Sequence, residues 1–133
     1  IHMAGWDVSD WKVPFDYVNH GAMKLEELSP LYNRCAAALV MSLTNLSLLP
    51  LELLSCGTIP VVNDAPNNRL VADNPNIDYV PLSPGALAAE LIRIVDADDQ
   101  VEASRRAAAS VESLSWADSG RRFVADFEEA MHA

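Results

Sequence analysis

The sequence predicts an α/β fold in which a parallel sheet lies between helices. Strand-like and helix-like segments alternate along the chain, the central apolar runs are continuous, and Gly, Pro and Asn cluster between the segments. Continuous apolar runs are typical of strands that are covered on both faces, as in parallel sheets. With 133 residues the chain is long enough to form a core of its own, so we expect a single domain over residues 1–133.

The first quarter of the chain predicts two strands followed by a helix. The strands are residues 1–5 and 16–21. Residues 23–35 carry apolar side chains at helical spacing, which favours a helix. Pro30 lies inside this segment and cannot donate a backbone hydrogen bond. We therefore expect a kinked helix or two short helices there.

The middle of the chain predicts three buried strands, which are residues 36–43, 58–62 and 78–82. A short helix over residues 48–55 separates the first two strands. Pro50 suits only the first turn of that helix, and Gly57 is well placed to end it in the left-handed conformation. Residues 63–77 are rich in Asn, Asp and Pro, so we expect this segment to be mostly loop.

The last third of the chain predicts three helices, over residues 84–97, 98–113 and 116–133. Ser115 resembles an N-cap for the final helix, with Asp118 as its capping partner. Apolar side chains in that helix recur on one face, at Trp116, Phe123 and Phe127. We expect this stripe to be buried in the core.

Composition excludes several classes of function. The net charge is −10 and the nine Lys and Arg residues are scattered, so we expect no nucleic-acid partner. Cys35 and Cys56 lie far apart in apolar surroundings without ligand spacing, which indicates free thiols rather than a metal site. We expect no metal and no cofactor. No apolar run is long enough to span a membrane and no signal peptide is visible, which predicts a cytoplasmic location.

A candidate ligand site follows the first central strand, in residues 44–52. Ligands of parallel sheets bind beyond the carboxyl ends of the strands, where the amides that open the next helix attract anions. Thr44, Asn45 and Ser47 add polar side chains at this edge, and the carboxylate of Glu52 could accept hydrogen bonds from the two hydroxyls of a ribose. The alternative is that the polar residues only cap the helix and that Glu52 is an ordinary first-turn carboxylate.

The segment LYNRCAAALVMSLTNLSLLPLELLSCGTIPVV, residues 31–62, resembles the C-terminal, donor-binding domain of GT-B glycosyltransferases. In that group a Glu-x7-Glu motif follows a buried strand, and a Cys-Gly-x-Pro-Val-Val step comes after it. The segments at residues 21–35, 83–96 and 115–131 also match the group. Residues 44–57 resemble in particular the bacterial members that build rhamnose-containing or other surface polysaccharides. The implied fold is a Rossmann-like parallel sheet flanked by helices, the C-terminal half of a GT-B fold.

The resemblance implies a binding site for a nucleotide-diphosphate sugar. Glu52 matches the second Glu of the motif, which binds the ribose hydroxyls. Thr44 stands where the first Glu contacts the transferred sugar, and it carries no charge. The turn whose amides face the sugar and diphosphate matches Asn45, Leu46, Ser47 and Leu48. The loop near the nucleobase matches Gly21, Ala22 and Met23. Arg69 is a candidate phosphate contact.

The implied function is donor binding for transfer of a hexose or deoxyhexose to a glycan or lipid-linked acceptor. The alternative is a non-catalytic α/β module that binds a nucleotide or another protein. With Thr44 in place of the first Glu, either a retaining or an inverting outcome is open.

The resemblance also implies parts that residues 1–133 do not contain. A GT-B donor domain opens with a strand–helix unit before the equivalent of Ile1, and an N-terminal domain binds the acceptor. We therefore expect this chain to be a fragment of a two-domain enzyme with little or no activity alone. We expect peripheral membrane association of the parent enzyme. If Trp6, Trp11 and Phe15 form an exposed patch rather than core, we expect the fragment to self-associate.

Overall fold

The computed structural model describes residues 1–132, which form two compact units. The first unit is Ile1–Cys35 and the second begins at Ala36. Each unit contains its own parallel sheet. The assignment of residues 1–133 to a single domain stays a prediction, and Ala133, the last residue of the predicted final helix, lies outside the described residues.

The first unit contains strands β1 (His2–Met3) and β2 (Val18–Asn19), which pair in parallel, and helix α1 (Leu25–Tyr32). The predicted strands are confirmed. Of the two expected outcomes, a kinked helix or two short helices, the second is wrong, because α1 is one helix that continues through Pro30. Pro30 removes a single backbone hydrogen bond, and the helix ends only two residues later, so little of the helix depends on the missing donor.

The second unit contains three strands in the order β3-β4-β5, all parallel. They are β3 (Ala37–Val40), β4 (Ile59–Asn63) and β5 (Asp78–Val80). The helices are α2 (Leu49–Ser55), α3 (Pro66–Val71), α4 (Pro84–Val95), α5 (Gln100–Ala109) and α6 (Trp116–His132). Parallel strands with intervening helices confirm the predicted α/β class.

The core of the second unit is centred on β4. Val61 and Val62 are both fully buried, and because successive strand residues point to opposite faces, both faces of β4 are covered. Helix α4 contacts all three strands, and α2 packs against α5 as well as against β3 and β4. Burial of each such apolar side chain contributes about 1.5–3 kcal/mol, which fixes the strands whose ends carry the candidate site.

Strand β3 is covered less completely than its sequence predicts. Val40 is buried, but Leu39 is 47% exposed. Among the described residues β3 pairs with β4 alone, so it lies at the lateral edge of its sheet. A groove of about 420 Å³ lies beside it, and its lining includes Leu39, Met41, Leu87 and Leu91.

Helix α3 replaces part of the segment that was expected to be loop. Pro66 occupies its first turn, where a missing amide donor is not needed. The side chain of Asn68 is fully buried and bonded to distant backbone groups, so it does not compete with the helix as a free Asn side chain would. Tertiary hydrogen bonds therefore override the local preference for loop.

The expected burial of the stripe on α6 is wrong. Trp116 is 81% exposed, Phe123 is 71% exposed and Phe127 is 58% exposed, and no described residue of α6 is buried. The periodic pattern correctly predicts a helix, but no other described element covers its apolar face enough to bury it. No helix within residues 1–132 is long and apolar enough to span a membrane.

Two local signals in the sequence are confirmed. Gly57 has a φ of 76°, the left-handed conformation predicted for the residue that ends α2. At the start of α6, the backbone amide of Asp118 donates to Ser115 Oγ at 3.1 Å, and Ser115 Oγ donates to the Asp118 carboxylate at 2.5 Å. The capping pair therefore forms as the sequence indicates.

Candidate functional site

The candidate site in the second unit lies at the carboxyl edge of the sheet. Val40 pairs in register with Val62, and Asn63 pairs with Val80, so the three strands end at the same edge. The turn that leads from β3 into α2, residues 41–48, begins there. This is the edge at which parallel α/β sheets bind ligands.

Glu52 projects away from the core at the start of α2. Leu53 and Leu54, its neighbours, are 2% and 0% exposed, whereas Glu52 itself is exposed. Within residues 1–132 the Glu52 carboxylate takes part in no ion pair or hydrogen bond. The carboxylate is therefore accessible to a ligand.

Thr44 and Asn45 are exposed polar residues of the turn. Thr44 Oγ1 donates to Asn45 Oδ1 at 3.2 Å, and Ser42 Oγ donates to the backbone carbonyl of Asn45 at 2.7 Å. The hydrogen bond from Ser42 Oγ holds the turn backbone at Asn45, while the side chains of Thr44 and Asn45 face solvent. A neutral hydroxyl and a carboxamide can donate to or accept from a sugar hydroxyl or a phosphate.

The next three residues differ in what they can offer a ligand. Leu46 is 3% exposed, so its side chain belongs to the core and only its backbone could contact a ligand. Ser47 Oγ accepts a hydrogen bond from the amide of Leu49 at 3.3 Å, but Ser47 precedes the N-cap, Leu48, and no side chain caps α2 from the N-cap position. Leu48 is 45% exposed and immediately precedes α2.

The side chains of Asn63 and Asn68 form hydrogen bonds to the buried side of the turn. These contacts are not predicted from the sequence. Asn63 is 2% exposed and bonds both backbone groups of Ser42, while Asn68 is 0% exposed and donates to the same carbonyl. A carboxamide at the end of an otherwise apolar strand was the one available signal. Buried polar side chains nearly always have partners, so a polar strand end predicts a bonded neighbour.

Arg69 is already engaged by other side chains. Its Nε donates to Asp64 Oδ1 at 2.6 Å, and its guanidinium lies 4.5 Å from the centre of the Tyr79 ring. The hydrogen bond from Arg69 lowers the pKa of Asp64, so the pair is charged at neutral pH. Contact between Arg69 and a phosphate stays a prediction.

Gly21, Ala22 and Met23 follow β2 in the first unit. Gly21 has a φ of 58°, its amide donates to Asn19 Oδ1 at 3.1 Å, and its carbonyl accepts from the amide of Gly5 at 2.8 Å. Ala22 is exposed and Met23 is half-buried. The loop has a defined conformation, and its place beside a nucleobase stays a prediction.

Cys35 and Cys56 are both half-buried and are not joined by a disulfide. Desolvation raises the pKa of Cys35, which disfavours the reactive thiolate form. Among residues 1–132 no three His, Cys, Asp or Glu side chains converge in a group that could hold a metal ion. The chemistry available at the turn is therefore that of hydroxyl, carboxamide, carboxylate and backbone amide groups.

Comparison with known proteins first assigns the chain to a class, that of glycosyltransferase-like domains. The family model of the WsaF C-terminal domain matches residues 1–92, which is more than half of the chain. The chain belongs to the WsaF C-terminal domain family. The matched region contains the turn, Glu52 and Gly21, whereas α5 and α6 follow it.

One curated relative supports the same assignment. The O-antigen biosynthesis protein RfbC of Myxococcus xanthus is 33% identical to the chain over 90 residues, which cover 66% of this chain. Those residues make up only 7% of the length of RfbC. No solved structure matches the chain.

Proposed function

We propose that this chain is the nucleotide-sugar-binding part of a glycosyltransferase that acts in bacterial surface-polysaccharide biosynthesis. The proposed reaction transfers a hexose or deoxyhexose from a nucleotide-diphosphate donor to a glycan or lipid-linked acceptor, in the cytoplasm. Membership of the WsaF C-terminal domain family and the similarity to an O-antigen biosynthesis protein support the proposal.

The observation that carries the proposal is the accessible carboxylate of Glu52 beside an exposed polar turn. The carboxylate would accept hydrogen bonds from the ribose hydroxyls, and the backbone amides of residues 45–48 would face the diphosphate. Amides fixed in direction stabilise charge that develops on a leaving diphosphate. In this proposal the chain supplies binding and orientation, and no metal ion is required.

The open edge of β3 supports a larger, GT-B-type sheet in the parent protein. β3 has a partner on one side only among the described residues, and Leu39 and Met41 are half-exposed beside the groove. An apolar strand with an unpaired edge is suited to accept another strand. We propose that a strand from outside residues 1–133 pairs there, and that a separate domain binds the acceptor.

A titration of thermal stability tests the donor-site proposal. The chain and its full-length parent are titrated with UDP, GDP and dTDP, and the unfolding temperature is followed. A ligand that binds only the folded state stabilises it by about 2.7 kcal/mol at a hundredfold excess over its dissociation constant. One of the three nucleotides is expected to raise the unfolding temperature more than the others, which also identifies the base.

The Glu52→Gln variant tests the ribose contact. Loss of a hydrogen bond to a charged group is expected to weaken nucleotide binding by about 1.5–3 kcal/mol. Glu112→Gln is the matched control, because Glu112 is also exposed in the second unit but lies after α5, outside the family match. Equal nucleotide affinities of Glu52→Gln and Glu112→Gln would show that the ribose role is wrong.

A non-catalytic nucleotide-binding module is the second candidate, and Thr44 favours it. Thr44 offers a neutral hydroxyl that bonds Asn45, where the resembling enzymes carry a charged carboxylate. The two candidates differ in turnover. The full-length protein, supplied with a nucleotide sugar, releases nucleoside diphosphate and transfers the sugar if it is an enzyme, and only binds the nucleotide if it is not.

A further inference from the structure

Two carboxamides are buried directly beneath the turn that follows β3. Asn63 is the last residue of β4 and is 2% exposed, and Asn68 lies in α3 and is 0% exposed. Every buried side-chain nitrogen and oxygen within the described chain has a hydrogen-bond partner. Burial of a carboxamide costs free energy because its polar atoms are removed from water, and an apolar side chain at the same position would not carry this cost. Two such side chains nevertheless lie next to the candidate site.

Asn63 continues the pairing of β3 and β4 after the strand ladder has ended. The last backbone pair of that ladder is Val40 with Val62. Beyond it, Asn63 Oδ1 accepts from the amide of Ser42 and Asn63 Nδ2 donates to the carbonyl of Ser42, both at 2.8 Å. One side chain thus fixes both backbone groups of a single turn residue. This closed pair leaves Ser42 little freedom to rotate.

Asn68 ties the same turn to the start of α3. Its Nδ2 donates to the carbonyl of Ser42 at 3.2 Å and to the carbonyl of Asn63 at 2.9 Å. Its Oδ1 accepts from Asn67 Nδ2 at 3.1 Å, and Asn67 Nδ2 also donates to the carbonyl of Thr44 at 2.6 Å. The three carboxamides therefore form one connected network beneath residues 42–44.

The network acts on the part of the chain that faces the ligand edge. Because Ser42 Oγ donates to the carbonyl of Asn45, a fixed Ser42 also restricts the backbone at Asn45. The side chains of Thr44 and Asn45 are exposed. A fully bonded buried network specifies one conformation more sharply than apolar packing does. A binding site gains affinity when its groups are held in the bound geometry beforehand.

We infer that Asn63 and Asn68 are positioning residues for the turn of residues 41–48 and thereby set its affinity for the diphosphate-bearing ligand. The inference rests on the proposed function, since that function supplies the ligand. Neither side chain touches the ligand in this arrangement. Both act through the backbone of Ser42 and, by way of Asn67, through the backbone of Thr44.

The test replaces single amide donors by oxygen at nearly constant size. Asn63→Asp keeps the acceptor for the amide of Ser42 but directs an oxygen at the carbonyl of Ser42. Asn68→Asp removes the donor to the same carbonyl. Asn74→Asp is the matched control, because Asn74 Nδ2 donates to Ser110 Oγ at 3.0 Å and Asn74 precedes β5, at the opposite edge of the sheet.

Affinity for UDP, GDP and dTDP is measured by calorimetry at a temperature where each variant is folded. Stability is measured separately by urea unfolding. Asn63→Asp and Asn68→Asp are expected to weaken binding of the preferred nucleotide by about tenfold or more, since each variant misplaces the turn by losing a buried hydrogen bond. Asn74→Asp is expected to lower stability and to leave the affinity unchanged. Equal affinities in all three variants would overturn the inference.

The two proposals fail in different ways. If the wild-type chain and its full-length parent bind none of the three nucleotides, the donor-site proposal fails. The inference is then judged by hydrogen exchange of the Ser42 amide, which Asn63→Leu deprives of its acceptor. Exchange of the Ser42 amide is expected to accelerate at least tenfold in this variant. Unchanged protection of the Ser42 amide would show that Asn63 does not position the turn.

Discussion

The turn after β3 and the C-terminal helix α6 are held in opposite ways. The turn is polar and exposed at Thr44 and Asn45, yet its backbone is fastened by Asn63, Asn67 and Asn68. Helix α6 carries large apolar side chains at Phe123 and Phe127, yet it buries none of its described residues. Residue polarity alone therefore does not tell which part of this chain is fixed. Hydrogen bonds from the buried Asn63 and Asn68 and from the half-buried Asn67 fix the turn, while local capping starts α6.

Apart from Leu54→Ala, which serves below as a core reference, the largest effect is expected from Gly57→Ala, at the end of the helix that leads away from the turn. A Cβ at Gly57 would lie 2.1 Å from Ser104 Oγ, and the φ of 76° disfavours any residue with a side chain. Left-handed strain and overpacking together predict a loss of about 3 kcal/mol in the free energy of unfolding, measured in urea.

Gly85→Ala is the matched control for that prediction. A Cβ at Gly85 meets nothing within 4 Å, and Gly85 lies at the start of α4. Alanine there is expected to leave stability unchanged or to raise it by about 0.5 kcal/mol. Equal losses in the two variants would contradict the idea that the end of α2 is tightly packed against α5.

The next effect is expected from Asn63→Leu, which removes the side chain that bonds Ser42. The amide and carbonyl of Ser42 would lose their closest partners, at a cost of about 2 kcal/mol in the free energy of unfolding. Urea unfolding of the variant measures this cost. Stability equal to that of the wild type would mean that water replaces the carboxamide without penalty and that the turn is not fixed from beneath.

Acid is expected to act locally, on the start of α6. The hydrogen bond from Ser115 lowers the pKa of Asp118 below its usual 3.8, and Arg121 adds to the shift. Because the folded state binds this proton less readily than the unfolded state, the carboxylate stabilises the helix start above pH 3.8. That stabilisation is lost as the pH falls through the lowered pKa.

Carbon chemical shifts of residues 116–122, recorded from pH 6 down to pH 2, measure this loss of helix. Asp118→Asn is expected to remove the acid transition, and Asp126→Asn, in the same helix, is expected to retain it. A transition in α6 that persists in Asp118→Asn would show that something other than the capping pair controls the helix start.

The smallest effect is expected from Phe127→Ala in α6. Truncation of a buried aromatic residue costs about 3–5 kcal/mol, but Phe127 is 58% exposed, so a change within about 0.5 kcal/mol is expected in urea unfolding. Leu54→Ala, at a position that is 0% exposed, is the reference and is expected to cost about 2–5 kcal/mol. A cost for Phe127→Ala near that of Leu54→Ala would place α6 in a packed core and remove the contrast.

The range of the interactions decides which features could be predicted from the sequence. Gly57 and the Ser115–Asp118 cap act within one helical turn, so their residue types reveal them. Helix α3 depends on a hydrogen bond between Asn68 and Ser42, 26 positions apart, and a local composition rule assigns that segment to loop. The apolar residues of α6 recur at the same helical spacing as those of a buried helix. This spacing identifies the apolar face of the helix but not whether another element covers that face.

The candidate site divides in the same way. The position of Glu52 could be located from a motif in the adjacent sequence, and its exposure agrees with a role in binding. Asn63, Asn67 and Asn68 bond backbone groups that lie 21 to 26 positions earlier in the chain, so the sequence shows a polar strand end at Asn63 but does not show which residue it bonds. Leu46 illustrates the same limit, because its side chain lies in the core although its backbone lies in the turn.

Amide chemical shifts of the labelled chain, recorded while UDP, GDP or dTDP is added, test the donor site most directly. We expect saturable shifts for one nucleotide that are largest in residues 44–48 and at Glu52, and that are reduced in Glu52→Gln but not in Glu112→Gln. Shifts confined to the groove beside β3, or no saturable shift with any of the three nucleotides, would contradict a nucleotide-sugar site at this turn.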